Sequence, residues 1–176
     1  MGLTDVVTIE DVFSNEQCEK IWHLPNLPSW YWGNYSHHKK DGLFWKLNLE
    51  HDPFFTEELF EQIISKVKVN NLCIVDTTNH PVYANGHTFG TQGGIHKDSD
   101  VGGDYTFLYY ANPTWCNTWG GSTVWIDEKG NHKSIYPKPN TGVFFPGTLL
   151  HYADATNKTF NGLRVTVAWK LRKINN

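Results

Sequence analysis

Cysteine is scarce in this sequence: Cys18, Cys73 and Cys116 are its three, odd in number and far apart along 176 residues. That pattern argues against a disulfide framework or a Cys-rich zinc site and fits a reducing compartment. No apolar run approaches the roughly 20 residues of a membrane span. The opening MGLTDVVTIE has neither the basic nor the apolar region of a secretory signal. Gly2 follows the initiator Met, but Val6 stands where the myristoylation pattern needs Ser or Thr, so no lipid anchor is expected. Lys and Arg number 15 against 18 Asp and Glu, a net charge of −3. No basic block is long enough to follow a phosphate backbone, so nucleic acid is not an expected partner. Repeats and low-complexity segments are lacking too. Aromatic residues are what the chain has in quantity, at 15%. This composition suits a single domain over residues 1–176 with a substantial core, located in the cytoplasm.

Two early segments read as helices that support the rest. Ser14 and Gln17 form a capping-box pattern that opens a helix from Ser14 to about Leu24, and Pro25 stops it. Leu59, Phe60, Ile63, Ile64 and Val67 recur at helical spacing within a second, from about Thr56 to Val67. VVTIEDVF before the first helix reads as a strand, as does the region near Phe44 to Leu49. From Leu72 onward short β-rich runs alternate with turn formers: LCIVD, PVYAN, DYTFLYYAN, GSTVWID, HKSIYP, TGVFFPG and LRVTVAWKL. DEKGN, at 127–131, predicts a hairpin turn. The pattern is mainly β with N-terminal helices: helical support over about 1–70, then an antiparallel sandwich or jelly roll over about 72–172.

The chemistry begins at GGIHKDSD. In an extended segment His96 and Asp98 point to the same side, so an imidazole and a carboxylate converge. With nine histidines in the chain, about one His-x-Asp/Glu pair is expected by composition, so a third ligand must supply the specificity. His37, His38, His51, His80, His87 and His132 lie in polar or turn-like surroundings that suit a solvated surface. His151 differs: it follows the apolar FFPGTLL and precedes the last strand. Two His and one carboxylate on neighbouring strands make the facial triad of non-haem Fe(II), which leaves coordination positions open.

Arg164 is a second, independent feature. On LRVTVAWKL it shares a face with Thr166 and Ala168, opposite Val165, Val167 and Trp169, so it points inward. An inward guanidinium needs an anion, and its fork suits a carboxylate held in bidentate fashion. Thr166 could add a hydroxyl from the same face, and Tyr110, which alternates with Thr106 and Leu108, a phenol.

These residues together resemble the Fe(II)- and 2-oxoglutarate-dependent dioxygenases, and within them the prolyl 4-hydroxylase-like branch of small bacterial or phage type. HKDSDVGGDYTFLYYANPTW followed by WGGSTVWI is similar to the family's H-x-D strand and the strands after it. FFPGTLLH resembles the segment that delivers the distal His, and GLRVTVAW the strand of the co-substrate Arg. The likeness runs from about Pro81 to Lys170, and DVFSNEQCEKIW resembles the usual opening of such enzymes. It implies a double-stranded β-helix, with His96, Asp98 and His151 as iron ligands. It also implies Arg164 as the anchor of the far 2-oxoglutarate carboxylate, with Tyr110 and Thr166 helping and Tyr83 lining the pocket. The activity implied is hydroxylation of a C–H bond using Fe(II), 2-oxoglutarate and O2, with ascorbate as a reductant. The substrate would be a prolyl residue in a peptide or protein, or a small molecule, in the host cytoplasm if a phage encodes the chain. His151 and Arg164 stand 13 positions apart, more than in the animal enzymes, and the loop DATNKTFNG can absorb the excess. Asp98 is intact, unlike its counterpart in the halogenating branch.

Other readings compete for the same residues. A jelly-roll binding module could hold a carboxylate or a metal in this pocket without turnover. Trp30, Trp32, Trp45, Trp115 and Trp119 could rim a substrate groove, although core packing is the commoner role for tryptophan. HHKK at 37–40 could be a second metal or an acidic-substrate patch, but reads first as a solvated loop.

Overall fold

The computed structural model describes residues 2–36, 42–69 and 81–173. The HHKK segment, the expected strand LCIVD, Cys73 and His80 lie outside the described residues. Strand β1 (Val7–Glu10) is shorter than VVTIEDVF, because Asp11 turns the backbone into the left-handed region at φ +50°. Val12 and Phe13 therefore enter the core from a loop.

Helix α1 (Asn15–Trp22) is capped as expected. The Ser14 hydroxyl accepts from the Gln17 amide, and the Gln17 side chain accepts from the Ser14 amide at 3.0 Å. A short 3-10 turn, Leu24–Asn26, carries Pro25 and ends the segment. Helix α2 (Leu59–Val69) is entered through a π-helical turn over Phe54–Glu58, so helical backbone begins before Thr56. The Asp52 carboxylate caps this turn by accepting from the Phe54 amide at 3.0 Å.

The strands that follow are β2 (Tyr31–Asn34), β3 (Phe44–Asn48), β4 (Val82–His87), β5 (Asp104–Tyr110), β6 (Thr123–Ile126), β7 (His132–Ile135), β8 (Thr141–Pro146), β9 (Leu150–Ala153) and β10 (Arg164–Arg172). A seven-stranded sheet runs β1-β8-β5-β10-β4-β3-β2, and a three-stranded sheet runs β7-β6-β9. Neighbouring strands in both are antiparallel. The predicted hairpin turn joins β6 to β7: the Asp127 amide donates to the Asn131 carbonyl, and the Asp127 carboxylate accepts from the Lys129 and Asn131 amides.

Strand periodicity sorts the large sheet into two faces. On the outer face Leu47, Ala84, Phe107, Tyr109, Val165, Val167 and Trp169 pack beneath Cys18 and Ile21 of α1 and Leu59, Ile63 and Val67 of α2. Each of these larger aliphatic side chains contributes about 1.5–3 kcal/mol by leaving water. The indole of Trp169 donates to the Phe55 carbonyl at 3.0 Å, tying the sheet to the entry of α2. On the inner face Leu108, Tyr110, Val143, Phe145 and Ala168 meet Trp125 of the small sheet. The fold is mainly β, a jelly roll with its helices on one face, as the sequence predicts. No described helix is long and apolar enough to cross a membrane.

Candidate metal centre

His96 and His151 are placed by a backbone bridge that joins the segment between β4 and β5 to β9 of the small sheet. The His96 amide donates to the His151 carbonyl at 3.0 Å, and the His151 amide donates back at 2.9 Å. The turn after β8 adds the third residue: the amides of Asp98 and Ser99 both donate to the Gly147 carbonyl, at 2.8 and 3.0 Å. Residues far apart in sequence thus share one short stretch of backbone. One potential ligand atom from each of His96, Asp98 and His151 lies within 4.8 Å of the others.

Hydrogen bonding prepares these atoms. His96 Nδ1 lies 2.9 Å from the Gly94 carbonyl and His151 Nδ1 lies 3.0 Å from the Leu149 carbonyl, so each Nδ1 is the donor and each Nε2 lone pair is turned to the centre. Nε2 of His96 is 3.5 Å from Asp98 Oδ1, and Nε2 of His151 is 3.6 Å from Oδ2. Oδ2 is already engaged: Thr106 Oγ1 donates to it at 2.5 Å and Lys170 Nζ approaches to 2.6 Å. Burial alone would raise the Asp98 carboxyl, but Lys170 and the histidines outweigh it and hold the group well below the usual range. Burial lowers His151 to about 4, keeping its imidazole neutral and able to coordinate. A neutral, tautomer-fixed histidine pair with an ionised carboxylate is the donor set that suits a divalent metal with open positions.

The centre opens into a cavity of about 310 Å3 between the sheets. Tyr83, Asn85, His87, Arg164, Thr166, Ala168 and Lys170 line it from β4 and β10, and Thr123 from β6. Arg164 is buried at 1% exposure. Its Nε donates to the Gly121 carbonyl at 2.6 Å and Nη2 to Thr123 Oγ1 at 3.0 Å. Among the described residues no carboxylate lies within salt-bridge distance of it, and burial lowers the guanidinium to about 10. Gly121 makes this arrangement possible: at φ +75° it has no Cβ, and one built there would stand 3.0 Å from Arg164 Cδ.

The remaining expected residues fall at different distances from the cavity. Thr166 and Tyr83 line it. Tyr110 lies behind the wall: its hydroxyl donates to Thr123 Oγ1 at 3.1 Å, and its ring lies 5.9 Å from Arg164 Cζ. Burial raises its phenol to about 12. None of the tryptophans Trp30, Trp32, Trp45, Trp115 and Trp119 is part of the lining. Trp32 and Trp45 meet edge to face at 5.4 Å, Trp115 and Trp119 pack with Phe160, and Trp30 donates to the Leu24 carbonyl.

His87 overturns its reading as a solvated histidine. It is 3% exposed, stacks on Phe44 at 4.9 Å and pairs with Arg164 across β4 and β10. Neither ring nitrogen has a hydrogen-bond partner, and burial, helped by the Arg164 charge, lowers it to about 3. Lys170, Thr106, Thr123 and Asn85 also escaped the reading of the sequence. The alternation of β10 continues through Ala168 to Lys170, and that of β4 runs from Tyr83 to Asn85 and His87, so period two was the available signal.

Residues 81–169 match the family described as the 2OG-Fe(II) oxygenase superfamily, a stretch that contains the triad and Arg164. This chain belongs to that superfamily. Membership implies Fe(II), 2-oxoglutarate and O2. The fold of this oxygenase is similar to a Pseudomonas putida prolyl-4-hydroxylase, at 10% identity over 97% of this chain and 94% of that one, with a TM-score of 0.69. It is also similar to a Trichoplax adhaerens prolyl hydroxylase in complex with a hypoxia inducible factor peptide fragment (11% identity, 97% and 84% covered, TM-score 0.68). A viral collagen prolyl hydroxylase from Paramecium Bursaria Chlorella virus-1 gives 17% identity, 97% of both chains covered and a TM-score of 0.64. No curated protein matches the sequence.

Proposed function

We infer that this oxygenase hydroxylates a C–H bond, that of a prolyl residue in a peptide or protein, with Fe(II) held by His96, Asp98 and His151. The observation that carries the reading is the convergence of two Nε2 lone pairs and an ionised carboxylate on one point, beside a buried Arg164 with no anionic partner among the described residues. When bound, iron would activate O2, the oxidant, with 2-oxoglutarate and the substrate C–H bond each giving up two electrons to yield succinate, CO2 and the alcohol, and ascorbate would serve as a reductant of the iron.

The chain's own residues bind and orient. Arg164, held in place by Gly121 and Thr123, takes the far carboxylate of 2-oxoglutarate; Thr166 adds a hydroxyl, and Tyr110 acts through Thr123. Thr106 and Lys170 occupy Asp98 Oδ2, leaving Oδ1 for the metal. Leu108, Phe145 and Ala168 give the cavity an apolar wall that limits water. The prolyl assignment is supported by the prolyl hydroxylases among the similar structures. Residues 1–176 would act as one catalytic unit, and the free Cys18 and Cys116 thiols suit a cytoplasmic setting.

The test is an anaerobic titration of metal-free protein with Fe(II) and 2-oxoglutarate. A visible charge-transfer band that needs both components and weakens in Arg164→Ala is the expected result. No band from folded protein that binds metal overturns the reading in favour of a non-catalytic carboxylate- or metal-binding module.

A further inference from the structure

Among the described residues, the cavity lining carries more positive charge than iron and co-substrate require. Apart from Lys97, an exposed residue near Asp100, the charged residues of that described lining are Lys46, Asp98, Arg164 and Lys170. Fe(II) offsets a 2-oxoglutarate dianion, Asp98 offsets one cation, and two positive charges are left in a partly enclosed space. Surplus charge of one sign becomes costly when a substrate closes the site and excludes water, unless the substrate brings the opposite charge.

The surplus is localised. Strands β3, β4 and β10 are neighbours, and their register sets Lys46 opposite Asn85, Asn85 opposite Thr166, and Tyr83 opposite Ala168. Two ammonium groups reach one ring from opposite sides of β4: Lys46 Nζ lies 4.5 Å and Lys170 Nζ 5.6 Å from the Tyr83 centroid. Among the described residues no carboxylate pairs with Lys46. Lys170 also contacts Asp98 at 2.6 Å, so this cationic patch adjoins the triad.

We propose that the substrate is itself an anion, presenting a carboxylate to Lys46 and Lys170 beside Tyr83, with its reactive C–H bond a few bonds from that carboxylate. The proposal rests on the oxygenase reading and narrows its substrate to an acid. A free carboxylic acid and a peptide with an acidic residue next to the reacting one share this chemistry.

Matched acid and amide probes separate the cases: N-acetyl-L-proline against N-acetyl-L-prolinamide, and acetyl-Ala-Pro-Glu-amide against acetyl-Ala-Pro-Gln-amide. Binding is read by ligand-observed NMR on Zn(II)-loaded protein saturated with 2-oxoglutarate, so that the probes cannot report on the Arg164 anchor. At least 10-fold tighter binding of the acid is expected in one pair, and Lys46→Met should bring that ratio close to one, with a thermal melt confirming the fold. A preference in the first pair identifies a free acid and in the second an acidic peptide. Equal binding or no binding in both pairs, or a preference that survives Lys46→Met, overturns the proposal. The NMR measurement needs neither turnover nor a visible band, so loss of the Fe(II)–2-oxoglutarate band would sink the oxygenase reading separately.

Discussion

His96 and His151 face each other across an antiparallel bridge in which each amide donates to the other's carbonyl, with ring centroids 4.3 Å apart. The candidate metal centre is therefore built on paired backbone and not on loop tips, which keeps the two proposed histidine ligands in position before any ion arrives. Asp98 joins them through the Gly147 carbonyl, so the turn that leads into β9 also fixes the carboxylate.

Asp98→Ala should reduce divalent-metal affinity at least 100-fold, on the order of 3 kcal/mol or more, and abolish succinate formation while the fold persists. Mn(II) binding followed by electron paramagnetic resonance checks the first part. Wild-type metal affinity in the variant would remove Asp98 from the centre.

Lys170→Met tests the ion pair with Asp98 Oδ2 in the metal-free protein. Losing the cation leaves a mostly buried carboxylate without its charged partner, so the metal-free variant should be less stable by about 1–3 kcal/mol. Metal then restores the missing positive charge. The rise in melting temperature on adding Zn(II) should be larger in the variant than in the wild type, and equal rises would show that Lys170 does not matter to the pair.

Gly121→Ala should act on Arg164 without touching the triad. The new methyl group meets Arg164 Cδ and Trp115 Cζ2 at 3.0 Å on a backbone with φ +75°, a strain of about 1–3 kcal/mol. Affinity for 2-oxoglutarate should fall about 10-fold or more while Mn(II) affinity is kept. Parallel titrations with both ligands separate this outcome from general unfolding, in which both fall.

His87 gives a pH signature. Its pKa is about 3 in the folded protein against an ordinary 6.5, because burial and then the Arg164 charge disfavour the imidazolium. Below pH 6.5 the unfolded chain takes a proton that the folded one refuses. The stability that His87 contributes is thus complete above 6.5 and is lost as pH falls toward about 3, by at most about 1.4 kcal/mol per pH unit. His87→Phe, which keeps the stack on Phe44, should make stability fall less steeply with acid. Urea unfolding of both proteins between about pH 7 and 4 reads the two slopes, and coincident slopes would rule out a buried neutral His87.

Much of the architecture was legible because it is local. The Ser14–Gln17 box, the Leu59 to Val67 stripe and the alternation of LRVTVAWKL each report an element through contacts a few residues apart. Strand β9, only Leu150–Ala153, has too few residues to show a period, although it carries His151. Polar neighbours hid His87: Asn85 and Thr88 suggest a surface, but the other sheet covers that face of β4.

The sequence by itself determined the donor types and the inward direction of Arg164, since chemical identity and period two are written along the chain. Only the tertiary structure decided which groups meet. Lys170 reaches Asp98, Lys46 reaches Tyr83 and Gly121 holds Arg164 because pairing brings together residues tens of positions apart. Such contacts depend on register and burial, which are properties of the packed sheets and not of any one segment.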